Sequence, residues 1–164
     1  MPFIVSTLGN NIHLIHTIKN CYTELNIPIG YTGSSTNHLI QYLESEYAFH
    51  VLFVFPTIDY LSFMNQLKKR KNIKVIVIVV GSVLPKDNIS FLLNNGVSGF
   101  ISTSELGVGE LKQVYNSIKA KGYVSNHYIS QEWWDSFQSK ESILPQKRPV
   151  FSSTESEIAT YLVN

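Results

Sequence analysis

The sequence predicts an α/β fold: a doubly wound, five-stranded parallel sheet with helices on both faces and a helical extension at the C-terminal end. Three observations lead there. Two unbroken runs of β-formers, Val51 to Phe55 and Val75 to Val80, show no polar alternation, as strands covered on both faces of a parallel sheet do. Segments with helical apolar spacing fall between strand-like runs, giving five strands alternating with five helices as far as Gly122. The 164-residue chain is 44% hydrophobic and 15% charged, a globular makeup with room for one such domain and a short appendage.

The elements follow in order. Phe3-Ile4-Val5 is a short apolar strand, and Gly9-Asn10-Asn11 opens a helix over Ile12 to Leu25, with Leu14, Ile15, Ile18, Tyr22 and Leu25 on one face. Pro28 ends it, and Ile27 to Tyr31 can extend. Thr32 to Ser35 forms a turn with capping hydroxyls before a helix carrying Leu39, Ile40 and Leu43. The Val51 to Phe55 strand stops at Pro56. A helix from Thr57 to Lys71 buries Leu61, Met64 and Leu67 and ends in four cations, Lys68 to Lys71, that complement its C-terminal dipole. After the Val75 to Val80 strand, Gly81-Ser82 breaks the run. Pro85 opens a helix with Ile89, Leu92 and Leu93, closed by Asn94-Asn95-Gly96. Gly99 to Ile101 is the fifth strand, and Leu111, Val114, Tyr115 and Ile118 mark the fifth helix, ended by Gly122. Beyond it, Tyr123 to Ser125 reads as extended, Tyr128 to Phe137 as a helix, Ser142 to Pro149 as a linker, and Phe151 to Leu162 as a helix start.

Composition excludes several functions. A net charge of +1 gives no strong attraction for nucleic acid or anionic membrane. Cys21 is alone, which rules out an internal disulfide framework or a multi-cysteine metal site and suits a reducing compartment. No secretory leader is visible, and the longest apolar run is far short of the roughly 20 residues of a membrane span, so the expectation is a cytoplasmic protein. Weaker signals resolve into structural readings. His13 and His16 lack a third metal ligand, so an exposed helix face is expected and no metal site. Cys21 reads as an apolar filler. Gly107-Val108-Gly109 lacks the third glycine of a phosphate-binding turn. Lys68 to Lys71 read as a solvated helix end. Adjacent Trp133 and Trp134 point about 100° apart on a helix, which leaves one of them for a partner.

The second half of the chain carries a resemblance. Val75 to Val79, then Phe91-Leu92-Leu93-Asn94-Asn95-Gly96-Val97-Ser98-Gly99-Phe100-Ile101-Ser102-Thr103, then Glu110-Leu111 through Ser125, resemble the receiver domain of LuxR/NarL-type response regulators. Phe151 to Leu162, with Glu155 and Glu157, looks like the opening of the helix-turn-helix domain of that family, with Thr154 where an arginine is usual. The resemblance implies a CheY-like (flavodoxin-like) fold and a Mg²⁺-dependent phosphoryl pocket. That pocket has two acids after the first strand, an acceptor Asp ending the third, Thr or Ser after the fourth and Lys after the fifth. Matched position by position, the acids fall on Ser6 and Thr7, the acceptor on Phe55, the hydroxyl on Val79 and the lysine on Thr103. None can do the family's chemistry, because Mg²⁺ needs carboxylates and a phenyl ring takes no phosphoryl group. Asp59, four residues past Phe55 and beyond Pro56, is no substitute. Phe100 falls on the family's switch aromatic and, without phosphate ligands to gate it, reads as a core ring.

The expectation is therefore a degenerate receiver over 1–125, a connector over 126–149 and the first part of a truncated helix-turn-helix over 150–164. It would act without phosphorylation, catalysis or cofactor, as an atypical response regulator in transcription regulation. It would work through dimerisation, a partner protein or a small ligand, with DNA bound only by an output domain missing from the chain. Candidate interface residues are Phe91, Tyr115, Trp133 and Trp134. The alternative is a stand-alone protein-interaction or small-ligand module using rim hydroxyls of Ser6, Thr7, Thr57 and Thr103.

Overall fold

A computed structural model describes residues 3–55, 60–82, 94, 96–121, 128, 129, 131 and 135. The strands are β1 (Phe3–Leu8), β2 (Ile29–Gly33), β3 (Phe49–Val54), β4 (Lys74–Gly81), β5 (Val97–Ser102) and β6 (Tyr128–Ile129). The helices are α1 (Ile12–Glu24), α2 (Thr36–Ser45), α3 (Tyr60–Lys68) and α4 (Val108–Lys121). The strands form one all-parallel sheet in the order β2-β1-β3-β4-β5-β6. The first five carry the expected doubly wound arrangement, with the order reversing between β1 and β3.

The two central runs sit where their composition demands. Val51, Phe53, Phe55, Ile76, Ile78 and Val80 face one layer, packed against Leu14, Ile18 and Tyr22 of α1 and Leu111, Val114 and Ile118 of α4. Their alternates Leu52, Val54, Val77 and Val79 face the other, under Leu39, Ile40 and Leu43 of α2 and Phe63, Met64 and Leu67 of α3. Side chains alternate along a strand, so a run apolar at every position is satisfied only with a helical layer on each side. The Tyr22 hydroxyl donates to the Leu111 carbonyl at 2.9 Å, joining α1 to α4 inside the first layer.

Helix starts follow the local chemistry. The Asn11 side chain accepts from the Leu14 N–H to cap α1, and Ser35 accepts from the His38 N–H to cap α2.

Two departures concern strands. β1 extends to Leu8 rather than ending at Val5, because Ser6 and Thr7 continue it although polar. Tyr128 and Ile129, expected to begin a helix, instead pair with Gly99 and Phe100 as a sixth strand on the β5 edge, with Ile129 fully buried. The helix expected between Pro85 and Leu93, the extended segment Tyr123 to Ser125, the linker and the Phe151 to Leu162 segment lie outside the described residues.

Candidate functional site

In a doubly wound sheet, ligands and chemistry belong at the carboxyl ends of the strands, where the order reverses. Here that crevice lies between the ends of β1 and β3. The Phe55 N–H donates to the Leu8 carbonyl at 2.8 Å, which carries the β1 and β3 ladder one residue past its last paired strand residues, Leu8 and Val54. The Phe55 side chain then lies across Gly9. A Cβ on Gly9 would sit 2.6 Å from the Phe55 Cβ and 3.3 Å from its ring, and Gly9 has φ +145, so only glycine permits this approach. With 2% of its surface exposed, Phe55 belongs to the core layer shared with α1 and α4. Phe55, the residue that the resemblance matches to the family's acceptor, is a buried ring.

Ser6 and Thr7 do not line the rim. Both lie inside β1 and are fully buried, because the strand runs on to Leu8. Ser6 has a structural task. The β1 and β2 register shifts between Val5 and Thr7, so two steps along β1 face three along β2. In that bulge the Ser6 hydroxyl accepts from the Tyr31 N–H at 3.1 Å. The Thr7 hydroxyl is buried without a hydrogen-bond partner. Thr57 lies outside the described residues.

On the other side of the crevice, Val79 is an interior residue of β4, paired with Phe100 of β5 and buried beside it. The strand end is two residues further on, at Gly81, followed by exposed Ser82. Thr103 is exposed just past β5, and its N–H donates to the Gly81 carbonyl at 3.1 Å. Phe100 is fully buried in the layer under α2 and α3.

Mg²⁺ does not fit the described residues of this arrangement. Ser6, Thr7, Gly9, Asn10, Phe55, Val79, Ser82 and Thr103 include no carboxylate, and a hard dication of this size is held through one or two of them. Asp59 lies outside the described residues. Among the described residues no group of three or more His, Cys, Asp or Glu side chains gathers to hold a metal.

The titratable groups with displaced pKa values lie elsewhere. His50, fully buried at the β3 start, makes a 3.2 Å hydrogen bond from Nε2 to the Glu46 carbonyl, while Nδ1 has no partner. Burial lowers its pKa from 6.5, opposed by Glu46. Tyr42 meets its ring edge-on, with centroids 5.8 Å apart. Burial raises the pKa of the Cys21 thiol and pushes that of Tyr22 well up.

Of the expected interface residues only Tyr115 is described. It is half-buried on α4, against Phe3 at a centroid distance of 6.2 Å, with Lys119 5.8 Å above its ring. Phe91, Trp133 and Trp134 lie outside the described residues. In the sequence Gly9 is legible only as part of a helix opening, and its contact with Phe55 is not. Its one signal was a glycine directly after the β1 run.

No family model matches the chain, and no curated protein matches it. Solved structures do. The isolated REC domain of RcsB from Salmonella enterica serovar Typhimurium, in the apo form, superposes with a TM-score of 0.66 at 12% identity, covering 84% of this chain and 99% of that one. A structure of two RcsB dimers bound to two parallel DNAs gives 0.66 at 13% identity, over 95% of this chain and 73% of that one. The regulatory domain of the biofilm regulator CsgD gives 0.53 at 10% identity, over 84% and 98%. The chain therefore has the receiver fold.

Proposed function

We propose that this chain is the receiver-fold part of a LuxR/NarL-type transcriptional regulator that works without phosphoryl input. The observation that carries the reading is the buried Phe55 ring lying across Gly9, in a crevice whose described residues supply no carboxylate. Phosphoryl transfer to a receiver needs a nucleophilic oxygen, a metal to gather phosphate charge and a cation to meet the transferred group. The matched positions offer a phenyl ring, two buried hydroxyls, a valine and a threonine. Replacing a cluster of carboxylates by such groups also removes like-charge repulsion, so the domain needs no bound metal to hold its shape.

In this reading the module has no enzymatic activity of its own and resides in the cytoplasm. It acts by self-association or by binding a partner, restraining or placing an output domain whose first residues are 150–164. DNA half-sites read by that output domain call for a symmetric dimer. The dimeric, DNA-bound RcsB neighbour supports this as an analogy of fold. Phe91, Tyr115, Trp133 and Trp134 remain the proposed contact residues. Tyr115 would contribute through its exposed edge, since Phe3 and Lys119 already take part of it.

The test is to add Mg²⁺ with beryllofluoride, or acetyl phosphate, to the purified chain. The expected result is an unchanged melting temperature and oligomeric state, and a shift of several degrees would overturn the reading.

A further inference from the structure

Next to the Phe55 crevice, on the β2 side of β1, an open groove of about 490 Å³ lies between the first turns of α1 and the end of β2 with the turn that follows it. We propose that it binds a small organic anion with an anionic head and a short apolar body. One wall is a stripe of α1, where Ile12, Ile15, His16 and Lys19 share a face through their helical spacing. The opposite wall is formed by Thr32, Gly33 and Ser34.

Three features define the ligand. The first is charge: Lys19 is the one lining residue with a formal charge, His16 stands beside it, and no lining residue is a carboxylate. The second is apolar surface. Ile12 is 70% exposed, one of the most solvent-exposed large aliphatic side chains among the described residues, and Ile15 beside it is half-buried. Covering them is favourable in proportion to the area removed from water. The third is rigidity. The Gly9 N–H donates to the Gly33 carbonyl at 2.9 Å, tying the two walls together, and the Asn11 and Ser35 caps fix the first turns of both helices. A groove set by such bonds needs no loop closure, which lowers the ordering cost of binding.

The spacing sets the size. Ile12 and Lys19 are seven residues apart, or about 10 Å along the axis at 1.5 Å per residue. A head group at Lys19 therefore leaves room for a chain of roughly six carbons over Ile15 and Ile12. Carboxylate and phosphoryl heads share the required chemistry. The groove shares Gly9 and Asn10 with the margin of the crevice but uses neither Phe55 nor the positions matched to the phosphoryl pocket, so its failure leaves the phosphorylation-independent reading standing.

The test is to titrate the full ¹⁵N-labelled chain with hexanoate, hexyl phosphate, inorganic phosphate and 1-hexanol while following amide resonances. Hexanoate or hexyl phosphate is expected to shift Gly9, Asn10, Thr32, Gly33 and Ser34 saturably, and the stronger of the two identifies the head. Inorganic phosphate and hexanol should bind at least tenfold more weakly. Lys19→Glu and the milder Lys19→Met should each weaken binding at least tenfold, and Ile12→Ser several-fold, with the remaining resonances unmoved. Scattered or non-saturating shifts overturn the proposal. So does hexanol binding as well as hexanoate, or affinity that ignores Lys19.

Discussion

Replacing Phe55 by alanine removes a ring with 2% exposure from the end of β3 and leaves a void against a residue that has no side chain to fill it. Buried Phe→Ala changes cost about 3–5 kcal/mol, and more where the surroundings collapse poorly. Collapse is poor here. Gly9 offers only backbone, and the Phe55 N–H is held at 2.8 Å from the Leu8 carbonyl, so the two strand ends cannot close on the gap. The upper half of the range is expected, a large share of the roughly 5–15 kcal/mol that stabilises a domain. Urea unfolding followed by circular dichroism measures it. With a slope of about 2 kcal/mol per molar, the midpoint should fall by roughly 2 M. A loss below about 1 kcal/mol would show that the ring does not fill the crevice and would remove the main support for the proposed phosphorylation-independent reading. Gly9→Ala supplies an internal check. Its new methyl meets the Phe55 Cβ, which alanine retains, and sits on a backbone of φ +145, so Phe55→Ala should not rescue it.

Two further outcomes follow from the core. Burial lowers the His50 pKa from its ordinary 6.5. Above pH 6.5 folded and unfolded chains are alike at this group and its full contribution is present. As pH falls from there toward its folded-state pKa, the unfolded chain takes up a proton that the folded one does not, and stability drops. His50→Leu should flatten that part of a stability-against-pH curve, and an unaltered slope would assign it to other groups. Tyr22→Phe removes the 2.9 Å hydrogen bond to the Leu111 carbonyl and should cost about 1–2 kcal/mol in chemical unfolding, whereas a neutral result would mean that the carbonyl is served within α4.

The central strands were legible because Val51 to Phe55 and Val75 to Val80 admit no exposed face, and the helix caps because Asn11 and Ser35 act within four residues of sequence. Strand ends were not. Ser6 and Thr7 look like a break after Val5, yet the Ser6 hydroxyl meets a Tyr31 N–H across a register shift that no local pattern encodes. The pattern from Tyr128 to Phe137 suggests a helix, whereas Tyr128 and Ile129 pair with Gly99 and Phe100, a contact across the sheet that outweighs local preference. At the crevice, the apolar character of Phe55 is plain from the Val51 to Phe55 run, while its rest against Gly9 is a contact between the ends of two strands that no local pattern encodes. The groove has no sequence signal, since His16 and Lys19 line it from α1 and Thr32 from β2.

The short β6 strand also bears on how the chain can be handled. It pairs only Tyr128 and Ile129, yet it occupies the backbone groups of Gly99 and Phe100 that face away from β4. A fragment cut back to Lys121 would lose it and bare the outer edge of β5, a template for adding strands from other molecules. Aggregation of such a fragment would then reflect the missing edge cover and not a failure of the sheet behind it.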